Sequence, residues 1–295
     1  MDIFWTKSTN SGIGDRMIDL CLMAAYAKVC GGSLYLKWNV LSDGHIQTWV
    51  SDNKLNQWKD IRYVDYLYDN IKNYFTFPNN VMVNQEPTKE YTIFNHYLGG
   101  IYSPKKFYNH FVRTVDYDTF LKYFFEVTSE IQPKERLKSI VGNTTPTLSV
   151  HLRRQDKIRE NTTNGDIHIN ELTELNRLTQ NVFNKIYKGG TVYISSDDEI
   201  EKNKFKDNFK SISVDDYTIH HEFEKTYVDL YMLSKSKTII LSQKHSNFSL
   251  FASLLNKSDF VYLYDSNCHI DEFGFDELDN LFFYKDFFEF ETHKL

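Results

Sequence analysis

The segment 148–158 carries the side chains best suited to bind an anion, because a run of charged residues directly follows an apolar stretch. Side chains alternate between the two faces of an extended strand, so His151 and Arg153 point the same way at its carboxyl end. An arginine there offers a planar fork to a diphosphate, while Asp156 could hold Arg154 in an ion pair. A surface strand that ends in solvated charges is the alternative, and the residue types alone leave both open.

Two further segments place polar residues where helices are expected to begin. Ser246 and Asn247 precede an apolar stretch, so they are either plain helix caps or ligands for phosphate oxygens. The free N–H groups and the dipole of a helix start both favour an anion. Asp197 and Asp198 follow a predicted strand and admit either a capping role or a contact with a ribose or base.

A glycine-rich turn near the N-terminus raises the possibility of a dinucleotide site. Gly12 and Gly14 precede a predicted helix, but Met17 stands where the third glycine of a dinucleotide-binding fingerprint would be. The strand that follows ends in Lys37 and Trp38 rather than in an acid that could bind a ribose. An oxidoreductase on a Rossmann sheet is therefore the less favoured interpretation.

The elements that must position these residues begin with a β-α-β unit. Residues 3–5 are apolar and residues 8–14 are turn-forming. Six apolar residues then recur at helical spacing: Ile13, Met17, Leu20, Cys21, Ala24 and Ala27. Gly31 and Gly32 end this helix, and a strand at 34–38 follows. The pattern predicts a parallel sheet with a right-handed crossover.

Strands and helices alternate again after residue 147. The segment 142–147 combines turn-forming residues with a proline, so it is the predicted linker between an N-terminal domain, 1–142, and a second domain, 147–270. Four strands are expected in the second domain: 148–152, 192–195, 238–241 and 260–264. This α/β alternation predicts a doubly wound domain that binds ligands beyond the carboxyl ends of its strands.

Helices are expected between these strands, near 170–187, from Asp198, near 226–236 and near 246–255. The remaining segment, 271–295, is rich in aromatic residues. We expect this tail to pack back onto the body, with a helix from Leu281 to Phe290.

The composition disfavours several classes of protein. A formal net charge of −6 argues against a nucleic-acid-binding protein, because phosphate neutralisation requires a dominating basic face. Three cysteines without a zinc-ligand spacing suit a reducing compartment, and neither a signal peptide nor a membrane span is predicted, so a cytoplasmic protein is expected. A zinc site would have to use adjacent side chains without a second cluster, which disfavours a metal. Those side chains are His220, His221, Glu222 and Glu224.

The segment 151–158, His-Leu-Arg-Arg-Gln-Asp-Lys-Ile, resembles the H-x-R-R-x-D-[KR] motif of the inverting GT-B fucosyltransferases. That group includes the α1,2- and α1,6-fucosyltransferases and the rhizobial nodulation fucosyltransferases, and the Lys-Ile pair leans toward the α1,6 and nodulation branch. Four further segments resemble family segments in the family's order. They are 12–16 (G-[LI]-G-[ND]-[RQ]), 193–198 (a strand ending in S/T-D-D), 229–234 (D-x-x-x-L-S) and 246–252 (S-x-F-S-x-x-A).

This resemblance implies a GT-B fold, in which two Rossmann-like domains face each other across a cleft. By the family's pattern Arg153 binds the β-phosphate of the donor, while His151 and Asp229 contact its guanosine end. A carboxylate can accept from the paired N1 and N2 donors of guanine, which favours GDP over UDP. The remaining donor-side candidates are Arg154, Asp156, Asp197, Asp198, Ser246 and Asn247.

The N-terminal turn also has an implied role, since in the family it faces the cleft and helps to hold the donor pyrophosphate or the acceptor. Gly12, Gly14 and Arg16 are the residues that match it.

The resemblance implies transfer of L-fucose from GDP-fucose to an acceptor hydroxyl with inversion, which gives an α-linked product. Neither a metal nor another cofactor is expected, and the partners are the GDP-sugar donor and a glycan acceptor. Glu160 lies one place from the position of the family's general base, and Lys157 matches the lysine that accompanies that acid. A protein of the same fold that binds a GDP-sugar without catalysis, or that uses another GDP-sugar, is the alternative.

Overall fold

The computed structural model describes residues 1–7, 13–38, 71–94, 104–152, 179, 183–184, 187–196, 198–220, 222–241, 246–256, 259–262 and 281–282. The chain divides into two compact units, Met1–Arg136 and Leu137–Leu295. Each unit is built around its own sheet of mainly parallel strands. The protein is therefore of the α/β class, as the alternation of strand and helix patterns predicts.

The N-terminal unit begins with the predicted β-α-β arrangement. Its strands and first helix are β1 (Asp2–Lys7), α1 (Ile13–Val29), β2 (Leu34–Trp38), β3 (Val81–Val83) and β4 (Tyr91–Phe94). The strands lie in the order β3-β2-β1-β4, and each pairing between neighbours is parallel. The helices that follow are α2 (Pro104–Phe111), α3 (Tyr117–Glu130) and α4 (Glu135–Val141). The last of these crosses the division between the two units.

Helix α1 lies in the core of the N-terminal unit. The six apolar residues whose spacing predicts it are all buried, and so are the polar Arg16 and Asp19. The helix packs against α3, which contributes the buried Phe120, Phe124 and Val127. Helix α1 is therefore a central element of its unit and not a surface helix with a single apolar stripe.

Gly31 and Gly32 end α1, as predicted. The N–H of Gly31 donates to the carbonyl of Lys28 and that of Gly32 to the carbonyl of Ala27, both at 2.9 Å, which is the Schellman pattern. Gly31 has a φ of +67°, in the left-handed region that favours glycine. A Cβ atom on Gly32 would lie 2.2 Å from the carbonyl oxygen of Met1, so the close approach of the chain there also requires glycine.

The C-terminal unit contains a sheet in the order β10-β9-β8-β5-β6-β7. Its strands are β5 (Leu148–Leu152), β6 (Val192–Ser196), β7 (Ser211–Ser213), β8 (Thr238–Leu241), β9 (Asp259–Tyr262) and β10 (Leu281–Phe282). All neighbours pair in parallel except β10, which is antiparallel to β9. Two of the four predicted strands have the predicted bounds, and the other two differ by one or two residues.

Three helices of this unit are described in full: α5 (Glu199–Asn208), α6 (Glu222–Ser234) and α7 (Asn247–Asn256). Each lies close to its predicted position. Most of the helix predicted near 170–187 falls outside the described residues. Among the helices described, none combines the length and the apolar character needed to cross a bilayer.

The two faces of the C-terminal sheet carry different residues, although all five residues of β5 are buried. The apolar face consists of Leu148, Val150, Leu152, Val192, Ile194 and Ile240, which pack with Phe183 and Phe205. The polar face carries Ser149 and His151 of β5 beside Tyr193 and Ser195 of β6, which are their register partners. The alternation predicted for β5 is thus confirmed.

The amino ends of β5 and β6 are held together by a contact around Thr147. The N–H of Thr147 donates to the carbonyl of Thr191 at 2.8 Å, and its hydroxyl lies 3.2 Å from the carbonyl of Gly189. Gly190 has a φ of +100°, and a Cβ atom there would lie 2.5 Å from the Thr147 side chain. Thr147 and the segment 189–191, which we call the Thr147 clamp, therefore fix the register of these two strands.

The helix predicted from Leu281 is wrong at its first two residues. Leu281 and Phe282 form β10 and pair with Val261 and Phe260 of β9. Aromatic side chains favour strands where a neighbouring strand offers a partner, and this local pairing overrides the helical interpretation. The remainder of the predicted helix lies outside the described residues.

Candidate functional site

The candidate site lies at the carboxyl end of β5, in the middle of the C-terminal sheet. From β5 the chain moves outward through β6 to β7, and it then returns to the other side of β5 as β8 and β9. The direction of strand order therefore reverses between β5 and β8. In open α/β sheets, ligands bind beyond the carboxyl ends of the strands at such a reversal.

His151, the last residue but one of β5, is joined to the beginning of α7. Its Nδ1 atom lies 2.5 Å from the hydroxyl oxygen of Ser249 and 3.2 Å from that of Ser246. The imidazole is 8% exposed, and its centroid lies 5.7 Å from that of the Phe248 ring. The hydrogen bonds fix the orientation of the ring, and they bring a residue of β5 to the N-terminal turn of α7.

The first turn of α7 supplies the second part of the site. Ser246 is buried and immediately precedes the helix, and its carbonyl accepts from the N–H of Leu250 at 3.0 Å. Asn247 is the first helical residue and is partly exposed. A helix start carries N–H groups without helical partners and a partial positive charge, so this position is suited to an anion.

Asp229 of α6 provides a carboxyl group on the polar face. The Tyr193 hydroxyl donates to its Oδ1 at 2.5 Å, and Ser195 lies two residues further along the same face of β6. Burial raises the pKa of Asp229 to about 7, although Tyr193 and Ser195 act to lower it. The residue is partly exposed, and desolvation of the carboxyl group is nevertheless the largest effect on its pKa.

The polar face therefore holds two connected groups. His151 with Ser246 and Ser249 forms one, and Asp229 with Tyr193 and Ser195 forms the other. They are joined through the sheet, because His151 is the register partner of Ser195. The polar face can thus bind a ligand in two places. The start of α7 is suited to an anionic group, and the carboxyl group of Asp229 is suited to accept from a hydrogen-bond donor.

Asp198 acts as a helix cap, one of the two roles that its sequence position admits. Its Oδ1 atom accepts from the N–H of Ile200 at 3.0 Å and from that of Glu201 at 3.2 Å. It is therefore the N-cap of α5. Gly14 and Arg16 lie in the first turn of α1 in the N-terminal unit, and both are buried.

The other predicted site residues fall outside the residues that the structure describes. They are Gly12, Arg153, Arg154, Asp156, Lys157, Glu160 and Asp197. Arg153 follows β5 directly, and its position on the polar face remains a prediction from strand alternation.

Glu224, one of the side chains considered for zinc, is buried and accepts from the backbone N–H of His220 at 3.0 Å. Within the described residues, no group of three or more His, Cys, Asp or Glu side chains could hold a metal ion.

Three residues of the site were missed by sequence reasoning: Tyr193, Ser195 and Ser249. Tyr193 and Ser195 occupy alternate positions of a predicted strand, so the same alternation that singled out His151 would have placed them on one face. Ser249 is separated from His151 by 98 residues, and no local pattern connects the two.

No protein-family model matches the chain, and no curated protein sequence matches it. Solved structures that it resembles include fucosyltransferase NodZ from Bradyrhizobium, with 12% sequence identity, a TM-score of 0.47, and coverage of 89% of this chain and 94% of that chain. Another is NodZ alpha-1,6-fucosyltransferase soaked with GDP-fucose, with 11% identity, a TM-score of 0.45, and coverage of 89% and 94%.

A mutant of FUT1 from Arabidopsis thaliana in complex with GDP is a third, with 11% identity and a TM-score of 0.42. The match covers 96% of this chain and 73% of that chain.

Proposed function

We propose that this chain is a GT-B glycosyltransferase that transfers L-fucose from GDP-fucose to an acceptor hydroxyl with inversion. The observation that carries the proposal is the junction of His151 with the start of α7, next to Asp229, at the strand-order reversal of the C-terminal sheet. Residues from four of the five motif segments, which are far apart along the chain, meet or adjoin there. That convergence favours a ligand site over a set of unrelated helix caps.

The diphosphate of the donor is assigned to the start of α7 and to Arg153. Transfer breaks the bond between the sugar and the β-phosphate, so negative charge grows on the departing GDP. An arginine fork and a helix N-terminus both stabilise such charge without reorganising. No metal is required in this scheme, because the arginine supplies the positive charge.

The guanine base is assigned to Asp229. An ionised carboxylate accepts hydrogen bonds at about four positions, and one donor, the hydroxyl of Tyr193, is already present. Capacity remains for the N1–H and N2–H donors of guanine, which adenine and the pyrimidines do not present together. Selectivity for GDP is the consequence.

The acceptor hydroxyl must lose a proton as it attacks the sugar, and a positioned base accelerates that step. Glu160 and Lys157 are the candidates by resemblance. Both remain predictions, together with the branch of the family, α1,6 or α1,2, to which the activity would belong.

Calorimetric titration with GDP, inosine diphosphate, UDP and ADP, in the presence of EDTA, tests the nucleotide assignment. We expect GDP to bind at least about tenfold more tightly than UDP or ADP, because a site built around hydrogen bonds rejects bases that leave a buried carboxylate unpaired. Inosine diphosphate lacks the 2-amino group and should be intermediate. Equal affinity for all four nucleotides would contradict the proposal.

Turnover separates an enzyme from a binding protein. GDP release from GDP-fucose should exceed a control without protein and should rise when glycan acceptors are added. Selective GDP binding without any release, over a broad panel of acceptors and GDP-sugars, would favour a GDP-sugar-binding protein of the same fold.

A further inference from the structure

Tyr193 makes a contact that the proposed function does not use. Its side chain is fully buried in the middle of β6, and its hydroxyl donates to Oδ1 of Asp229 at 2.5 Å. A buried tyrosine hydroxyl must find a partner, and here the partner is the carboxyl group assigned to guanine. The bond joins a rigid strand to the helix that carries the ligand-binding side chain.

The bond also fixes the direction of the carboxyl group. An aspartate has two side-chain torsions, and its terminal torsion is broad and poorly constrained by rotamer preference. Tyr193 constrains one oxygen of this group. Because the donor belongs to a buried strand, the sheet restricts the orientation of the carboxyl group.

The charges around Asp229 come from several elements. Lys202 of α5 acts to lower the pKa of Asp229, and Asp215 of the turn after β7 acts to raise it. Lys202 is itself buried and is paired with Asp215 and with Glu199, the latter at 2.5 Å. Further ionisable residues lie on the elements packed nearby. They include Asp216 and Tyr217 at the turn after β7, His151 on β5, Glu201, Lys204, Lys206 and Asp207 on α5, and Glu222, Glu224, Lys225, Tyr227 and Tyr231 on α6. Helix α7 carries no ionisable side chain.

We propose that Tyr193 is a positioning residue for nucleotide recognition, which holds the Asp229 carboxylate in the orientation and the ionised state that guanine requires. The inference rests on the proposed function, since it takes Asp229 to bind the base of GDP. The hydroxyl of Tyr193 donates to Asp229, so its effect on binding is exerted through the carboxylate.

Ionisation links this role to pH. Only the ionised form of Asp229 can accept from both N1–H and N2–H, and burial raises the pKa of Asp229 to about 7. GDP affinity should therefore fall as the pH decreases below about 7. The Tyr193 hydrogen bond acts to lower the pKa of Asp229, so its removal should move this fall to higher pH.

The test measures the GDP affinity of the Tyr193→Phe variant between pH 5.5 and pH 9. This range of about three units includes neutrality and spans the expected titration of Asp229 in both the wild type and the variant. We expect affinity at pH 7 to fall about tenfold, the midpoint of the pH profile to rise by about one unit, and discrimination against inosine diphosphate to decrease. Tyr108→Phe is the matched control, because it also removes a bonded hydroxyl, which donates to the carbonyl of Val115 at 3.0 Å in the N-terminal unit. That variant should retain the wild-type profile.

A double-mutant cycle distinguishes positioning from general destabilisation. In an Asp229→Asn background there is no carboxylate to orient, so Tyr193→Phe should change GDP affinity less than about twofold further. A full additional loss in that background would show that Tyr193 acts on the fold alone. Circular dichroism of each variant verifies that the folded fraction is unchanged.

The outcomes separate the two proposals. If the wild-type protein does not select GDP, the proposed function fails and this inference fails with it. If GDP is selected and Asp229→Asn weakens its binding, but Tyr193→Phe alters neither affinity nor the pH midpoint, then the positioning role alone is wrong.

Discussion

At β5 and β6 the two faces of the C-terminal sheet are both largely buried, yet they are built from opposite kinds of residue. The apolar face packs aliphatic side chains of three strands against Phe183 and Phe205. The polar face places His151 and Tyr193, with two serines, beneath α6 and α7. Burial of the first face is favourable in itself, whereas the second requires each polar group to find a partner.

This difference agrees with the proposal that the apolar face stabilises the fold and that the polar face binds the ligand. Aliphatic packing stabilises the unit by roughly 25 cal/mol for each Å² removed from water. A satisfied buried hydrogen bond adds only about 1 kcal/mol net, and an unsatisfied one costs more than that. The polar face is thus retained at little gain in stability, which is expected of a face whose groups bind something.

Replacing Phe183 by alanine should separate the two faces most clearly. The Phe183 side chain is fully buried. The centroid of its ring lies 4.4 Å from that of Phe209 and 5.0 Å from that of Tyr187, so the substitution leaves a cavity. We expect the free energy of unfolding to fall by about 3–5 kcal/mol. Urea denaturation measures this loss, and GDP titration of the folded protein should give the wild-type affinity. A large loss of affinity with unchanged stability would contradict the division of roles.

Arg153→Ala should have the converse effect. Strand alternation predicts that Arg153 continues the polar face, and the proposed function assigns it to the β-phosphate, so transfer should slow about 100-fold to 1000-fold or more while unfolding is little changed. The rate of GDP release measures the loss. Arg113→Ala, at an exposed arginine of the N-terminal unit, is the control, and an Arg153→Ala enzyme with wild-type turnover would remove the assignment.

Asp229→Asn should improve stability while it harms binding. The pKa of Asp229 is about 7 in the folded protein and about 4 in an unfolded chain, so the folded state binds the proton more tightly. Stability contributed by this group is present below about pH 4 and is lost as the pH rises to about 7, by a few kcal/mol at most.

The amide carries no charge at any pH, so Asp229→Asn should raise the melting temperature at pH 8 relative to the wild type, and should do so less at pH 5. GDP affinity should fall at least about tenfold at pH 8. Asp118→Asn, at an exposed position in the first turn of α3, controls for loss of charge. Equal melting-temperature shifts at both pH values would show that the carboxyl group is not destabilised by burial.

The smallest effect is expected from Ser249→Ala. The substitution removes the 2.5 Å hydrogen bond to His151 but leaves Ser246 at 3.2 Å, so the imidazole loses part of its restraint. GDP affinity should fall about threefold to tenfold, with less than about 1 kcal/mol lost in unfolding. Ser253→Ala is the matched control, because that buried hydroxyl donates to the carbonyl of Leu250 in the same helix. An identical response of the two variants would deny Ser249 a role at the site.

Much of this arrangement follows from local patterns. Alternation along 148–152 predicts which residues of β5 share a face, and the apolar cluster and the contacts of His151 confirm it. The paired glycines predict the end of α1 because a Schellman turn needs a left-handed residue. These features depend on neighbours a few residues apart, which periodicity and turn chemistry describe well.

Other features depend on residues that are distant in sequence. The Tyr193 bond to Asp229 spans 36 residues, and the raised pKa of Asp229 follows from how α6 packs on β6. Burial on every side of α1 likewise reflects its packing against α3 and not its own pattern. The sequence from Leu281 has a pattern compatible with a helix. Its first two residues nevertheless form a strand, because they pair with β9.

The arrangement of the candidate site depends on the Thr147 clamp, although the clamp lies at the other end of β5 and β6. A slip of β6 by one residue against β5 would exchange its two faces, and Ile194 would then stand beside His151 while Tyr193 entered the aromatic cluster. The clamp prevents this at the amino ends of the strands, where Gly190 has space only for a hydrogen atom beside Thr147. The arrangement of the proposed binding site thus depends on packing at the opposite edge of the sheet. A methyl group added at Gly190 could shift the register and disrupt the site without contacting any residue that would hold the nucleotide.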